Sequence, residues 1–148
     1  MEKADYFICF PDLQRAPMLS SDSEFNLLAQ KMNWRKDSIR YRKERAKFLA
    51  SEFNIHYGSN AKKLENWQAL CVELDTSDSI RRISQCRRAL RNIHVNLVDL
   101  VDSRRNGQTA KEFPSAAALR NYIKEMGKIF SRSAAKKDGF LKALLRVI

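Results

Sequence analysis

Between Ile80 and Arg105, apolar residues recur at alternating steps of three and four along the chain. A repeat of this kind places them on one face of an α-helix, whereas a strand would need a repeat of two. Val101 extends the stripe by a further turn. The pattern therefore predicts one long central helix, with an apolar stripe made of Ile83, Cys86, Leu90, Ile93, Leu97 and Leu100.

Two helices are predicted before residue 58. The first opens at Ser21, because Ser21 to Glu24 has the form of a capping box, in which a hydroxyl and a carboxylate cap the first turn. The second runs from about Asp37 to Tyr57 and ends at Gly58, since glycine commonly terminates helices. Two apolar faces predict that it packs between neighbours. One consists of Ile39, Ala46, Leu49, Ala50, Phe53 and Tyr57, the other of Tyr41, Phe48 and Ile55.

Three further helices complete the pattern. A third helix precedes the central one, with a stripe of Leu64, Trp67, Leu70, Cys71 and Leu74. After a turn at Asn106-Gly107, Pro114 and Ser115 start another helix that stops at Gly127. The last is amphipathic, with an inner face of Phe140, Leu141, Leu144, Leu145 and Ile148.

Residues 1–19 differ from the rest, since Pro11 and Pro17 favour an extended arm. The aromatic residues of this arm are expected to pack across the domain, or alternatively to dock on another protein. Gly and Pro are scarce, which argues against hairpin-rich architecture. The sequence predicts an all-α fold, in which residues 20–148 form a compact single-domain bundle of five or six helices with an extended N-terminal arm.

Charge adds a preference for partners. The 148 residues contain 28 Lys and Arg against 17 Asp and Glu, a formal net charge of +11. Such a balance favours nucleic acid or another polyanion, because it raises local attraction and association rates. Acidic proteins are the alternative kind of partner.

Two clusters of cations are the candidate phosphate contacts. One lies along the second helix as a basic ridge, Lys36, Arg40, Lys43 and Lys47. The other crowds the first half of the central helix, where positive charge is unfavourable to the helix dipole, and consists of Arg81, Arg82, Arg87, Arg88 and Arg91. Either cluster is also consistent with a merely solvated helix face.

The segment from Asn60 to Arg105 has the layout of a helix-turn-helix, in which the second helix enters the major groove of DNA. Gln85 and Arg88 would then read bases, because Gln suits adenine and Arg suits guanine. The length of the predicted second helix counts against this layout. Sequence-independent binding to the phosphate backbone is therefore preferred over base readout.

Signals for catalysis, cofactors and metals are nearly absent from the sequence. His56 and His94 adjoin no nucleophile motif, and no glycine-rich loop is present to hold a nucleotide. Asp99 and Asp102 are expected to pair with cations such as Arg105 rather than to bind metal. We therefore expect a protein that is not an enzyme and has no cofactor.

The three cysteines and the N-terminus bear on the compartment. Cys9, Cys71 and Cys86 are odd in number and widely spaced, which indicates reduced thiols in an intracellular protein. No apolar run approaches the roughly 18 residues that cross a bilayer. The first ten residues lack the form of a signal peptide. We expect no membrane association and a nuclear or cytoplasmic location.

Four segments resemble a family of small, uncharacterised proteins of filamentous fungi. They are YRKERAKFLASEF (41–53), KLENWQALC (63–71), ISQCRRALRNIHVNLVDLVD (83–102) and GFLKALLR (139–146). The resemblance implies a eukaryotic, intracellular setting and assigns no functional residues. The sequence as a whole predicts a helical domain that binds nucleic acid, DNA or RNA, mainly through phosphates. The alternative is a non-enzymatic adaptor that grips an acidic protein or self-associates.

Overall fold

The computed structural model describes residues 6, 10, 14–16, 18–57, 63–74, 81–90 and 93–130. Six helices and one small two-stranded sheet lie within these ranges, so the prediction of an all-α bundle is confirmed. The last predicted helix, near residues 136–148, and the stop at Gly58 lie outside the described residues. The elements are α1 (Ser21–Lys31), α2 (Ile39–Tyr57), α3 (Leu64–Glu73), α4 (Ile83–Leu90), β1 (His94–Val95), α5 (Leu97–Asn106), β2 (Glu112–Phe113) and α6 (Ala116–Met126).

The prediction of one continuous central helix is wrong, because the stretch is divided into α4, β1 and α5. β1 pairs antiparallel with β2, His94 opposite Phe113 and Val95 opposite Glu112. Asn96 then starts α5 from an extended conformation, and its side chain accepts a hydrogen bond from the Asp99 N–H at 3.0 Å. A side-chain cap of this kind offers the backbone an alternative to continuing a helix.

The other helix boundaries follow the sequence closely. The N-cap of α1 is Ser20, one residue before the predicted position, and its Oγ accepts from the Ser23 N–H at 3.2 Å. Ser115 caps α6 in the same way, as predicted. Gly107 and Gly127 end α5 and α6 with φ of 74° and 66°, values that favour glycine.

The core is built from the inward faces of α1, α2, α3 and α5. Phe25, Phe48, Phe53 and Trp67 are fully buried in it, and α4 packs against α3. The predicted stripe of α3 is confirmed, since its central and later members are all buried. The hydroxyl of Tyr57 donates to the Leu100 carbonyl at 3.0 Å and so joins α2 to α5.

Both predicted apolar faces of α2 contribute buried residues, and the helix packs against α1, α3 and α5, so the prediction of a helix packed between neighbours is confirmed. The buried residues recur at helical spacing and include two carboxylates: Tyr41, Glu44, Phe48, Leu49, Glu52, Phe53 and Tyr57. Ile39 and Ile55 are 74% and 42% exposed. The strip of α2 that carries the predicted ridge faces solvent.

The two described aromatic residues of the arm pack on the body of the domain. This is the first of the two arrangements expected for them. The ring of Tyr6 lies 6.0 Å from that of Phe48, and Phe10 lies 5.9 Å from Trp34. The Tyr6 N–H donates to Ser51 Oγ at 3.0 Å, and its hydroxyl donates to Glu44. These contacts fix this part of the chain across α2.

Candidate nucleic-acid interface

The predicted ridge on α2 is exposed along its whole length. Lys36 lies in the turn before the helix, and Arg40, Lys43 and Lys47 follow at steps of three and four on the solvent side. Glu44, on the buried side, lies 3.4 Å from Arg40 Nε and 3.5 Å from Lys47 Nζ. Both cations keep about two thirds of their side-chain surface, 64% and 66%. Because exposed pairs of this kind contribute at most about 1 kcal/mol, these cations can readily exchange their partner for a phosphate.

The arginines around α4 form the second basic surface. Arg81, Arg82, Arg87 and Arg88 are exposed, and residues 81–90 contain no acid. The guanidinium of Arg87 lies 5.4 Å from the centre of the Trp67 ring, a cation–π distance that orients it on α3. Arg91 lies outside the described residues.

Gln85 has a local role that the sequence analysis did not anticipate. Its Oε1 accepts the backbone N–H groups of Arg81 at 2.8 Å and Arg82 at 3.2 Å. This is the return half of a capping box at the start of α4. The amide oxygen that would help to read adenine is therefore already bonded.

The two basic surfaces belong to different helices linked through α3, which packs against both α2 and α4. Arg40 and Arg87 lie over the tryptophans Trp34 and Trp67, in each case at 5.4 Å from the ring centre. The ridge and the arginines of α4 are therefore each anchored by an aromatic ring.

Charge is strongly segregated between surface and interior. Among the residues whose side-chain burial the structure describes, sixteen Lys and Arg residues are exposed against four acids, Asp37, Glu65, Glu112 and Glu125. Six other acids are buried or half-buried there: Asp22, Glu24, Glu44, Glu52, Asp99 and Asp102. The exposed cations are Lys31, Arg35, Lys36, Arg40, Arg42, Lys43, Lys47, Lys63, Arg81, Arg82, Arg87, Arg88, Arg104, Lys111, Arg120 and Lys124. The surface is thus more positive than the composition alone implies.

Two of the inward acids form a buried ionic cluster with Arg105 and Arg15, a feature that the sequence analysis missed. Arg105 lies 2.9 Å from Glu24 and 3.2 Å from Glu52, and the three side chains are at most 4% exposed. Arg15, from the arm, bonds the same two carboxylates at 3.0 and 2.7 Å. Arg105 is therefore not the partner of Asp99 or Asp102, although Asp99 does pair with a cation, as expected, since Lys128 Nζ lies 2.7 Å from its carboxylate. No local spacing indicates these pairs, because the members lie far apart in sequence.

Burial and ionic partners oppose each other in the cluster. Burial alone would raise the pKa of Glu24, but hydrogen bonds from Arg15, the Ala16 N–H and Arg105 outweigh it and lower that pKa. Burial likewise opposes the shift at Glu52, where the hydrogen bond with His56 and the charges of Arg105 and Arg15 lower the pKa. Both carboxylates are therefore ionised at neutral pH.

Asp99 belongs to a separate cluster with Tyr122 and Lys128. The Tyr122 hydroxyl donates to Asp99 Oδ2 at 2.6 Å, and Lys128 Nζ donates to Oδ1 at 2.7 Å. Burial and then the bond to Asp99 raise the pKa of Tyr122. Burial would lower the pKa of Lys128, but its bonds to Asp99 and Tyr122 raise it. Both groups keep their protons at neutral pH, which suits a clamp between α5 and the end of α6.

Asp102 caps α1 from a distance, since its carboxylate accepts the Ser21 N–H at 2.8 Å. Cys71 and Cys86 are buried thiols that form no disulfide, and burial followed by the neighbouring Cys71 thiol raises the pKa of Cys86 to about 12. Cys9 lies outside the described residues. Among those residues, no three His, Cys, Asp or Glu side chains are grouped so as to hold a metal ion.

Comparison of the chain with protein-family models, curated proteins and solved structures gave no match. No helix in the described ranges is both long enough and apolar enough to span a membrane. The exposed surface is consequently the main structural indication of function.

Proposed function

We propose that this protein binds nucleic acid through its phosphates, using the ridge of α2 and the arginines of α4. The observation that carries the proposal is the segregation of charge, with sixteen exposed cations against four exposed acids among the residues whose burial the structure describes. The two acids of α2, Glu44 and Glu52, are both buried, so no exposed carboxylate on this helix repels a phosphate strand. The proposed role is binding rather than catalysis.

Backbone contacts are favoured over base readout. The short α4, of eight residues, removes the objection that the second helix is too long for a helix-turn-helix. However, the Gln85 amide oxygen is bonded to its own helix, and Arg87 is held against Trp67. Phosphate contacts need only exposed cations, and Lys43 and Arg88 are both exposed.

Salt dependence provides the test. Fluorescence anisotropy should be recorded with labelled duplex and single-stranded probes between about 50 and 200 mM salt. Each phosphate neutralised on duplex DNA contributes roughly −0.9 to the log–log slope, so several contacts give a steep loss of affinity. A double variant, Lys43→Ala with Lys47→Ala, should weaken binding to all sequences alike and reduce the slope by about two.

The matched control is Arg120→Ala with Lys124→Ala, which removes two exposed cations from α6. It should change affinity much less than the α2 pair. Equal effects of the two pairs would reduce the interface to net charge alone. Absence of binding at low salt to every probe would reject the proposal.

An adaptor function has one observation in its favour. Large apolar side chains remain exposed, among them Val72 at 78%, Ile39 at 74% and Ile129 at 59%. Exposed apolar surface of sufficient extent marks protein interfaces. Sedimentation equilibrium of the wild type beside Ile39→Ser and Val72→Ser tests self-association, which a concentration-dependent mass abolished by either change would support.

A further inference from the structure

A groove of about 860 Å³ lies where α1 and α2 meet the residues that follow α6. Its described lining includes three cations, Lys36, Arg42 and Arg45, and two acids, Asp22 and Asp37. Tyr41, Ala46, Met126 and Ile129 supply apolar wall. The groove therefore combines an excess of positive charge with apolar surface.

Arg45 is the most constrained of the three cations. Its side chain is only 14% exposed, and its Nε donates to Asp22 Oδ1 at 2.9 Å. Nη1 donates to the Ile129 carbonyl, and Nη2 is buried without a hydrogen-bond partner. A buried guanidinium N–H without an acceptor is unfavourable, and an anionic oxygen is the acceptor that satisfies it best.

The charges around Arg45 fit an anion. Its pairing with Asp22 offsets that carboxylate, which leaves Lys36 and Arg42 against Asp37 alone. Lys36 and Arg42 are both exposed and retain the freedom to turn toward a ligand. Lys36 is also the first member of the ridge on α2, so the groove continues the surface proposed to bind phosphates.

We infer that this groove holds one phosphate group of a bound nucleic acid, and that a small rotation of the Arg45 side chain brings Nη2 to the surface to donate to a phosphate oxygen. Lys36 and Arg42 neutralise the remaining charge, and Met126 and Ile129 contact the adjoining sugar or base. The inference rests on the proposed function and gives it an anchoring site. The phosphate is either an internucleotide diester or a 5′-terminal monoester, and both present the same oxygens.

The binding test uses the full chain and single-stranded oligonucleotides of about 12 nucleotides, labelled at the 3′ end, with a 5′-hydroxyl or a 5′-phosphate. Arg42→Ala should weaken binding about tenfold and lower the salt slope by about one contact, whereas Arg45→Lys should weaken binding about tenfold and leave the slope nearly unchanged. Arg45→Lys keeps the charge but lacks the second donor of the guanidinium fork. The exposed Lys124→Ala is the matched control and should change affinity less than twofold.

The two probes identify the source of the phosphate. If the variants weaken only the 5′-phosphorylated probe, the groove takes a terminal monoester. If they weaken both probes equally, it takes an internucleotide diester. Groove variants that bind like Lys124→Ala, while the wild type still shows steep salt dependence, would overturn the groove and leave the proposed function standing.

A second measurement needs no variant. In ¹H–¹⁵N spectra of the wild type titrated with inorganic phosphate, the Arg45 Nε–Hε signal should shift, while that of Arg105, enclosed in its ionic cluster, should not. An Arg45 signal that never moves would refute the inference. A phosphate-induced shift without salt-dependent oligonucleotide binding would instead refute the proposed function and retain the groove as a phosphate site.

Discussion

Replacing Arg105 by Met should destabilise the fold more than any other single removal of a cation in the described chain. The Arg105 side chain is 2% exposed, and it bonds Glu24, Glu52 and the carbonyls of Ala16 and Leu19. Methionine keeps much of the volume but leaves the two buried carboxylates with Arg15, His56 and the Ala16 N–H as partners. Loss of one partner from a buried ionic group costs about 3–5 kcal/mol.

This loss is large relative to the total stability of a domain, about 5–15 kcal/mol. Urea unfolding followed by tryptophan fluorescence measures it, since Trp67 is fully buried and reports the core. With a slope of about 2 kcal/mol per molar urea, the midpoint should fall by roughly 2 M. Arg120→Met, on an exposed face of α6, is the matched control and should shift stability by at most about 0.5 kcal/mol.

A double-mutant cycle separates a buried charge from lost packing. Adding Glu24→Gln to Arg105→Met removes one of the uncompensated carboxylates, so the double variant should be less destabilised than the sum of the single changes. The reasoning would be refuted if Arg105→Met cost less than about 1 kcal/mol, or if the two changes were simply additive.

Three other predictions concern the remaining buried groups. Since Glu24 and Glu52 have lowered pKa values in the folded protein, the stability they confer is present above the unfolded-state pKa of about 4.3 and is lost as pH falls through the folded-state pKa values. Urea unfolding at several pH values measures this loss, and equal stability at every pH would contradict it. Tyr122→Phe removes the hydroxyl that bonds Asp99 and Lys128 and should cost about 1–2 kcal/mol by thermal unfolding, whereas an unchanged midpoint would show that the clamp contributes nothing. In a Cys9→Ser variant, Cys71 and Cys86 should react with a thiol reagent only as fast as the protein opens, because both are buried and burial raises the pKa of Cys86 to about 12. Rapid labelling of the native protein would refute this.

The helical class and most helix boundaries could be predicted because they depend on local chemistry. The stripe of α3 around Trp67 and the glycine stops at Gly107 and Gly127 follow from periodicity and from left-handed backbone geometry. The division of the central helix was missed because the apolar repeat stays in phase across it. Asn96 with Asp99 three residues later was the available signal.

The site was predictable only where exposure follows from the helical wheel. The ridge from Lys36 to Lys47 is exposed as expected, whereas the role of Gln85 depends on backbone geometry at the start of α4. The groove at Arg45 joins α1 and α2 to the residues after α6, with Arg45 and Ile129 separated by 84 positions. Periodicity cannot reveal a contact of that separation.

The ionic cluster around Arg105 should affect the rate of unfolding more than the rate of folding. Arg105 and Glu24 are 81 residues apart in sequence, so they meet only after the intervening helices have docked. We expect these contacts to form after the rate-limiting step, so that breaking them accelerates unfolding more than it slows folding. The cluster would thus act as a kinetic lock, which lengthens the lifetime of the folded molecule.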